Sequence, residues 1–346
     1  MTSIAELGEF GLIARIAAAI SQPSDVLVGI GDDAAVLDIG GDELLVATCD
    51  AQVEDIHFRL RSLSSYDLGR RALAVNLSDL AAMGARPRFA LVSLLLPPAL
   101  EVAVIDGIYA GLQAEATQFH LAVVGGNIAR NAERLIVDIT LLGTGRRGRL
   151  LRRDQARPGD VVMVTGSLGT AAAGVLLAED AQLAARVPAE TLTAVRRAQS
   201  VPTPRIAAGQ WLAEHEITTA IDISDGLAAD LAHICAASHV GVQLDADALP
   251  VDPAVTTVAG QAGRDPQDLA LFGGEDYELL FTVPADRAPT LAQELFSATG
   301  VVATAIGTMN ADGQSTLVRQ GRTIPLVTRG WDHLRAEGVP ERGGGC

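Results

Sequence analysis

Short apolar runs that end at Asp, Pro or Gly alternate with longer segments of helical apolar spacing, and this alternation limits the folds open to the chain. The short runs predict strands, and the longer segments predict helices. Predicted strands lie at 43–50, 88–97, 121–127 and 134–145, and predicted helices at 68–85 and 101–118. Strand-to-helix patterns recur at 161–178 and 218–238. The chain is therefore predicted to be a mixed α and β protein in two units.

The length of 346 residues suits two domains, and a polar, Arg-rich connector at 146–160 is the predicted boundary between them. We predict an N-terminal domain over residues 1–148 and a C-terminal domain over 149–336. Residues 337–346, "EGVPERGGGC", are predicted to be a disordered tail because they offer little apolar surface to bury.

Charge and composition exclude several classes of protein. The formal net charge of −16 argues against nucleic acid as a partner. Hydrophobic residues make up 49% of the chain, but their runs are too short to span a bilayer. The N-terminus lacks the basic start and cleavage site of a signal peptide, and the three scattered cysteines form no CxxC pair. We therefore expect a cytoplasmic protein without a membrane partner, a disulfide framework or a zinc site.

The basic residues limit the chemistry further, because all 26 lysine or arginine positions are arginine. Schiff-base chemistry, a lysine base and the lysine of a P-loop are thereby excluded. Arginine does not replace a lysine base because its guanidinium stays protonated. Any phosphate chemistry must therefore use arginine, backbone N–H groups and metal ions.

Aspartates recur at strand ends and glycine turns, each next to apolar residues. They are Asp32 and Asp33 in "GIGDDAAVL", Asp50 at the end of a strand, Asp79 in an apolar helix, and Asp222 and Asp225 in "DISDGL". Each has an ordinary explanation taken alone: a solvated turn for the pair, an exposed helical position for Asp79, and a helix N-cap for Asp225. Their recurrence favours a bound cation. Carboxylates without a Cys/His ligand pattern are typical of Mg²⁺ or Mn²⁺ sites.

Several motifs resemble the thiamine-monophosphate kinase family of the aminoimidazole-ribonucleotide-synthetase-like superfamily. "GIGDDAAVL", "TCDAQVEDIHF", "NLSDLAAMGARP", "VVGGN", "DISDGL", "FGGEDYELLFT" and "GWDHL" occur in the family's order and spacing over roughly residues 5–335. The resemblance implies a fold of the α/β and α+β classes in two domains. The N-terminal α/β domain pairs its sheet with that of a second subunit in a homodimer, and the C-terminal domain is α+β. The resemblance also implies an ATP site between the domains that uses no P-loop, which is compatible with a chain without lysine.

The resemblance also assigns residues to roles, position by position. The family's metal ligands fall on Asp33, Thr48, Cys49, Asp50, Asp79, Asn127, Asp222 and Asp225. Its nucleotide contacts fall on Gly126, Asn127, Arg153 and Ser224, with Tyr109 on the preceding helix as a further candidate. Its substrate contacts fall on His57, Glu275 and Trp331. Asp222, Asp225 and Arg153 are the implied catalytic residues, and Asp32 is expected to shape the turn beside Asp33.

Two positions depart from the family pattern. Cys49 replaces a threonine, and we expect it to act through its backbone because a thiol is a poor Mg²⁺ ligand. Asn127 replaces an aspartate that binds Mg²⁺ in the family. Its amide oxygen still suits a hard cation but brings no charge. We expect Asn127 to point toward the metal cluster and to weaken the binding of one metal ion.

The resemblance implies direct transfer of the γ-phosphoryl group of ATP to the phosphate of thiamine monophosphate, with Mg²⁺, giving thiamine diphosphate and ADP. Two alternatives stay open at the level of sequence. The chain is a superfamily enzyme for another substrate, such as a purine precursor or a selenium donor, or it is an inactive nucleotide-binding protein. Cys49 lies inside a metal motif, which disfavours the selenium enzyme because that enzyme usually needs a reactive cysteine or selenocysteine near its N-terminus.

Overall fold

The computed structural model describes residues 3–331 and 333–334, and two mixed sheets form its framework. The first sheet contains six strands in the order β1-β2-β3-β6-β4-β5. Its strands are β1 (Val26–Val28), β2 (Ala35–Leu37), β3 (Glu43–Val53), β4 (Arg86–Leu96), β5 (Ala122–Arg130) and β6 (Ile136–Arg146). Its neighbours pair antiparallel except β4 and β5, which pair parallel.

The second sheet contains seven strands in the order β13-β12-β9-β11-β7-β10-β8. They are β7 (Val161–Thr165), β8 (Thr219–Asp222), β9 (Gly241–Asp245), β10 (Leu279–Val283), β11 (Ala303–Asn310), β12 (Ser315–Arg319) and β13 (Arg322–Pro325). Only β9 and β12 pair parallel among the described strands of this sheet.

Helices cover these sheets and connect their strands. They are α1 (Ile4–Ala19), α2 (Ser65–Ala82), α3 (Val102–Gln118), α4 (Thr170–Glu179), α5 (Ala181–Ala184), α6 (Ala189–Ser200), α7 (Ile206–Glu214), α8 (Leu227–Ser238), α9 (Pro253–Ala262), α10 (Pro266–Phe272) and α11 (Ala288–Thr299). Short 3₁₀ turns occupy Arg153–Gln155 and Ala246–Ala248. No helix among the described residues is long and apolar enough to cross a bilayer.

Helix α2 positions the site because it lies between the two sheets. Its apolar side chains share one hydrophobic core with strands of the first sheet, with α7 and α11, and with one face of the second sheet. Close backbone contact with α7 depends on Gly209, where a Cβ atom would lie 1.9 Å from the carbonyl oxygen of Ala81. The other face of the second sheet has its own core, which includes Val162, Ile221 and Leu280.

The first sheet is covered on one face by α2 and leaves apolar side chains exposed elsewhere. Phe89 is 43% exposed and Leu91 39%, and on the edge strand β5 Ile128 is 71% exposed. Strand β2 pairs with β3 only at Leu45–Ala47, so the edge of β3 from Thr48 onward has no strand beside it among the described residues.

The structure confirms the mixed fold class, and every strand and helix predicted in residues 43–145 occurs with its ends moved by a few residues. Helix α2 begins earlier than predicted because Ser64 caps it by accepting from the N–H of Asp67. The division of the domains at residue 148 stays a prediction. The tail predicted at 337–346 lies outside the described residues.

Candidate functional site

Three aspartates from separate parts of the chain meet where α2 faces the second sheet. Asp33 lies in the turn between β1 and β2, Asp79 near the C-terminal end of α2, and Asp222 at the end of β8. One carboxylate oxygen of each lies within 4.8 Å of the others. Asp33 and Asp222 are buried and Asp79 is partly buried. Three oxygen ligands this close suit a hard cation such as Mg²⁺.

Hydroxyl groups fix two of these carboxylates. Thr48 Oγ1 donates to Asp79 Oδ2 at 2.6 Å, and Ser78 Oγ donates to Asp222 Oδ2 at 2.7 Å. Burial and the neighbouring carboxylates raise the pKa of both Asp79 and Asp222 well above the ordinary value. The cluster is thus a site where negative charge is concentrated and where a cation would relieve the repulsion.

Asp50 extends this cluster from strand β3. Its backbone N–H donates to Asn76 Oδ1 of α2 at 3.1 Å, which holds the strand against the helix. Loss of solvation and the negative charges of Asp138, Glu9 and Asp33 raise the pKa of Asp50 to about 6. Thr48 and Asp50 share a face of β3 because side chains alternate along a strand.

Arg153 is the cation at the cluster. Its guanidinium donates to both carboxylate oxygens of Asp33, with 3.3 Å between Nε and Oδ2. Asp32 shapes the turn in the expected way: its carboxylate accepts from the backbone N–H of Asp33 at 3.0 Å and of Arg153 at 3.3 Å. One guanidinium does not offset four ionised carboxylates, so a bound cation would favour the ionised forms of Asp50, Asp79 and Asp222, whose pKa values are raised.

A tight loop after β8 carries Ser224 and Asp225, and hydrogen bonds to Asp230 of α8 stabilise it. Asp230 Oδ2 accepts from the backbone N–H groups of Ser224, Asp225 and Gly226 at 3.1, 3.2 and 3.1 Å. Gly226 has φ 118°, which a side chain would strain. Asp225 follows Asp222 by three residues, but it does not belong to the group of three close carboxylates.

The predicted substrate residues gather around the same loop. Glu275 N–H donates to Ser224 O at 2.7 Å, and Trp331 N–H donates to Asp225 O at 3.2 Å. The Trp331 indole donates to His333 Nδ1 at 3.0 Å, and the His333 ring lies 4.9 Å from that of His57. His57 Nδ1 accepts from Val53 N–H at 3.0 Å, and burial, His333 and Arg71 lower the pKa of His57 to about 4.

A cavity of about 580 Å³ opens beside His57, between the loop that follows β3 and helices α4 to α6. Its lining contains Arg59, Arg61, Arg71 and Arg196, and no acidic residue among the described ones. In a chain of strongly negative net charge, this lining makes the cavity locally basic.

Four predicted residues are not brought to the cluster within one chain. Gly126 and Asn127 lie on β5, which is separated from β3 by β6 and β4, or by about 14 Å at the usual strand spacing. Asn127 also pairs with Ser93, on the face opposite to buried Val92. Within one chain, strand order and side-chain alternation direct Asn127 away from the cluster, and its role as a metal ligand stays a prediction.

Tyr109 and Cys49 also lie apart from the cluster. Helix α3, which carries Tyr109, crosses α2 at Gly69, about 15 Å along the helix from Asp79. The Cys49 thiol donates to Asp138 Oδ1 at 3.3 Å on the face of β3 opposite to Thr48 and Asp50. The Cys49 side chain is thus directed away from the cluster, which agrees with the expectation that the thiol is not a ligand.

Sequence reasoning missed Asp230, Arg71 and His333. Asp230 lies four residues after Gly226, one residue beyond the spacing of a capping box, so no standard motif indicated its role. His333 lies inside the quoted "GWDHL" motif. Arg71 gave no signal, because an arginine in a helix is usually a solvated residue.

Two family models match the chain. The AIR synthase related protein N-terminal domain matches residues 31–145, and the AIR synthase related protein C-terminal domain matches residues 157–320. Together they span most of the strands of both sheets.

Similar proteins cover nearly the whole chain. The thiamine-monophosphate kinase of Salmonella typhimurium is 40% identical over 94% of this chain and 98% of its own length. That of Bacillus subtilis is 33% identical over 95% of this chain and 100% of its own. A solved structure of AaThiL complexed with AMPPCP and TMP superposes with a TM-score of 0.83 at 33% identity, covering 96% of this chain and 99% of that one. The chain belongs to the thiamine-monophosphate kinase family.

Proposed function

We propose that this protein transfers the γ-phosphoryl group of ATP to thiamine monophosphate and forms thiamine diphosphate and ADP. The observation that carries the proposal is the group formed by Asp33, Asp79 and Asp222 with Arg153 beside it. Relatives of nearly equal length bear the name of this activity, and a similar solved protein is complexed with AMPPCP and TMP.

The reaction needs alignment and charge neutralisation more than it needs a base. The attacking group is a phosphate oxygen that is already ionised at neutral pH. Two anionic phosphates must approach each other, and each pair of unit charges at 4 Å repels by about 4 kcal/mol at an effective dielectric constant of about 20. Arg153 is proposed to stabilise the transferring group, and its contact with Asp33 fixes its direction.

The same carboxylates are proposed to hold Mg²⁺ on Asp33, Asp50, Asp79, Asp222 and Asp225. When bound, Mg²⁺ supplies positive charge that offsets the repulsion between the phosphates. The donor set fits this cation, because it consists of carboxylate oxygens without Cys or His. Thr48 orients Asp79 through its hydrogen bond.

Nucleotide and substrate are proposed to approach from opposite sides of the loop after β8. Ser224 and Arg153 would contact the nucleotide, and His57, Glu275 and Trp331 the thiamine part. Trp331 is 48% exposed, so its ring is open to stacking on a cationic heterocycle. The proposed division into domains, 1–148 and 149–336, puts these groups at the boundary between two units.

A homodimer is proposed to complete the site. The edge of β3 beyond Thr48 and the outer edge of β5 are both without a neighbouring strand among the described residues. If β5 of a second subunit lies beside β3, both open edges are paired. The partner subunit's Gly126 and Asn127 would then lie near Asp50 and the nucleotide. An ATP-dependent reaction also fits the proposed cytoplasmic location.

One assay tests the function. ADP release and thiamine diphosphate formation are measured with ATP and thiamine monophosphate, with Mg²⁺, after chelation, and after Mg²⁺ is restored. We expect turnover only with metal. Activity that survives thorough chelation would remove the metal cluster from the proposal. ADP release with another phosphate acceptor, but not with thiamine monophosphate, would show a different substrate.

A further inference from the structure

Arg71 of α2 joins three segments that are distant in sequence. Its Nε donates to Gln52 Oε1 of β3 at 3.0 Å, its Nη1 to the backbone carbonyl of Gln199 at the end of α6, and its Nη2 to Glu275 Oε1. The arginine side chain is only 2% exposed, whereas that of Glu275 is 26% exposed. A buried guanidinium with three fixed partners is a rigid support rather than a surface charge.

Glu275 needs such support because its backbone is strained. Its φ is 70° and that of Tyr277 is 50°, a left-handed conformation that costs non-glycine residues about 1–2 kcal/mol each. Neighbouring Gly274 packs so closely on the loop after β8 that a Cβ atom would lie 2.5 Å from Ser224 O. The strained segment thus holds the Glu275 carboxylate at one place beside that loop.

The position of the pair matches the dimensions of the substrate. Arg71 and Asp79 lie eight residues apart on α2, which is about 12 Å along the helix axis. A phosphorylated heterocycle with its phosphate at the carboxylate cluster can extend over this distance toward Glu275. His57 lies near Arg71, since both line the same cavity.

The ion pair also changes what Glu275 can offer a ligand. Arg71 compensates its charge through Oε1, while the other oxygen remains to accept a hydrogen bond. We infer that Arg71 is a positioning residue that fixes Glu275 as a hydrogen-bond acceptor for the thiamine part of the substrate. This inference rests on the proposed function, and it assigns Arg71 no contact with the phosphates or with ATP.

The test is a double-mutant cycle on steady-state kinetics of the full chain. We expect Arg71→Met to raise KM for thiamine monophosphate roughly tenfold, with kcat and KM for ATP changed by less than about threefold. Arg71→Lys should restore part of the loss, because it returns the charge without the fixed geometry. In a Glu275→Gln background, Arg71→Met should raise KM no further, since it acts through Glu275.

Arg70→Met is the matched control. Arg70 is the preceding residue of α2 and pairs with buried Glu115 at 2.8 Å, away from the site, so its loss should lower the melting temperature and leave KM unchanged. Independent, multiplying effects of Arg71→Met and Glu275→Gln would overturn the inference, as would an Arg71→Met variant that loses only thermal stability. A wild-type protein that forms no thiamine diphosphate would overturn the proposed function and this inference together.

Discussion

At the scale of single residues, the site is governed by carboxylates that the fold brings closer together than their charges favour. Asp79 and Asp222 have raised pKa values because burial and neighbouring carboxylates penalise their ionised forms. Such an arrangement weakens the fold without a cation and serves the reaction with one. Stability and activity should therefore respond in opposite directions when one carboxylate is neutralised.

Asp79→Asn is the direct test of this opposition. The variant removes one of the clustered charges and keeps an oxygen to accept from Thr48. We expect kcat to fall by roughly 100-fold or more with Mg²⁺ present. In chelator we expect the melting temperature to rise by about 2–4 °C, which is about 1 kcal/mol for a domain of this size. A lower melting temperature in chelator would contradict the account of the cluster.

His57 gives a prediction about pH. Its folded pKa of about 4 lies below the ordinary value of about 6.5, so the unfolded chain binds the proton first as the pH falls. Protonation of His57 therefore does not change the free energy of unfolding above pH 6.5. As the pH falls from 6.5 to 4, it lowers that free energy progressively. His57→Asn, whose amide oxygen can accept from Val53 N–H, cannot titrate.

The stability advantage of the wild type over His57→Asn should therefore shrink by roughly 1–2 kcal/mol between pH 7.5 and pH 5. Denaturant unfolding of both proteins at each pH measures the difference. A difference that is the same at every pH would show that His57 titrates alike in the folded and unfolded chains.

At the scale of elements, one buried carboxylate shapes the loop on which the site depends. Asp230 accepts from three backbone N–H groups of the segment between β8 and α8. Strand β8 and helix α8 are each ordinary elements. Their junction gains its shape from a side chain that follows it in sequence.

Asp230→Ala should lower the free energy of unfolding by about 2–3 kcal/mol, since it leaves buried N–H groups without acceptors. It should also raise KM for ATP, because Ser224 and Asp225 lose their fixed positions. For Asp230→Asn, we expect a free energy of unfolding and a KM for ATP between those of the wild type and those of Asp230→Ala. Asp180→Ala removes a similar cap from α5 and should lower stability alone. If Asp230→Ala leaves KM for ATP unchanged, the shape of this loop does not determine nucleotide binding.

At the scale of the whole molecule, the edges of β3 and β5 that lack a neighbouring strand among the described residues support the proposed homodimer. Asn127 lies three strands from Asp50 in its own subunit. The resemblance to the family nevertheless predicts that Asn127 is a metal ligand. A dimer reconciles the two observations. Asn127 would then act on the partner's cluster, where its neutral amide contributes an oxygen but no charge.

Asn127→Asp should lower the Mg²⁺ concentration needed for half-maximal activity, and Asn127→Ala should raise it, with the melting temperature in chelator little changed. Mg²⁺ titration of the three proteins measures this. Identical titrations would remove Asn127 from the site, and light scattering that finds a stable monomer at micromolar concentration would remove the dimer.

A mixing experiment identifies the subunit that supplies Asn127. Asp79→Asn and Asn127→Arg subunits are each expected to be nearly inactive alone. When equal amounts are unfolded and refolded together, a shared site should return activity to about a quarter of the wild type, because half of the dimers are mixed and each holds one intact site. No recovery would place Asn127 in the site of its own chain.

Sequence alone determined the parts that depend on local interactions. The strands in residues 43–145, the helix that carries Asp79 and the turn at Asp33 follow from apolar spacing and glycine signals within a few residues. The residue types also determined the class of chemistry, since a chain with arginine, no lysine and recurrent aspartates has few other means of handling phosphates.

Only the tertiary structure decided which of these residues meet. Asp33, Asp79 and Asp222 are far apart in sequence, and the packing of α2 between two sheets brings their oxygens within 4.8 Å. The order of the strands separates Asn127 from Asp50, although nothing in the "VVGGN" sequence distinguishes the two outcomes. Arg71 became a support for Glu275 for the same reason: burial and strand order are set by contacts between distant segments, which local sequence patterns do not encode.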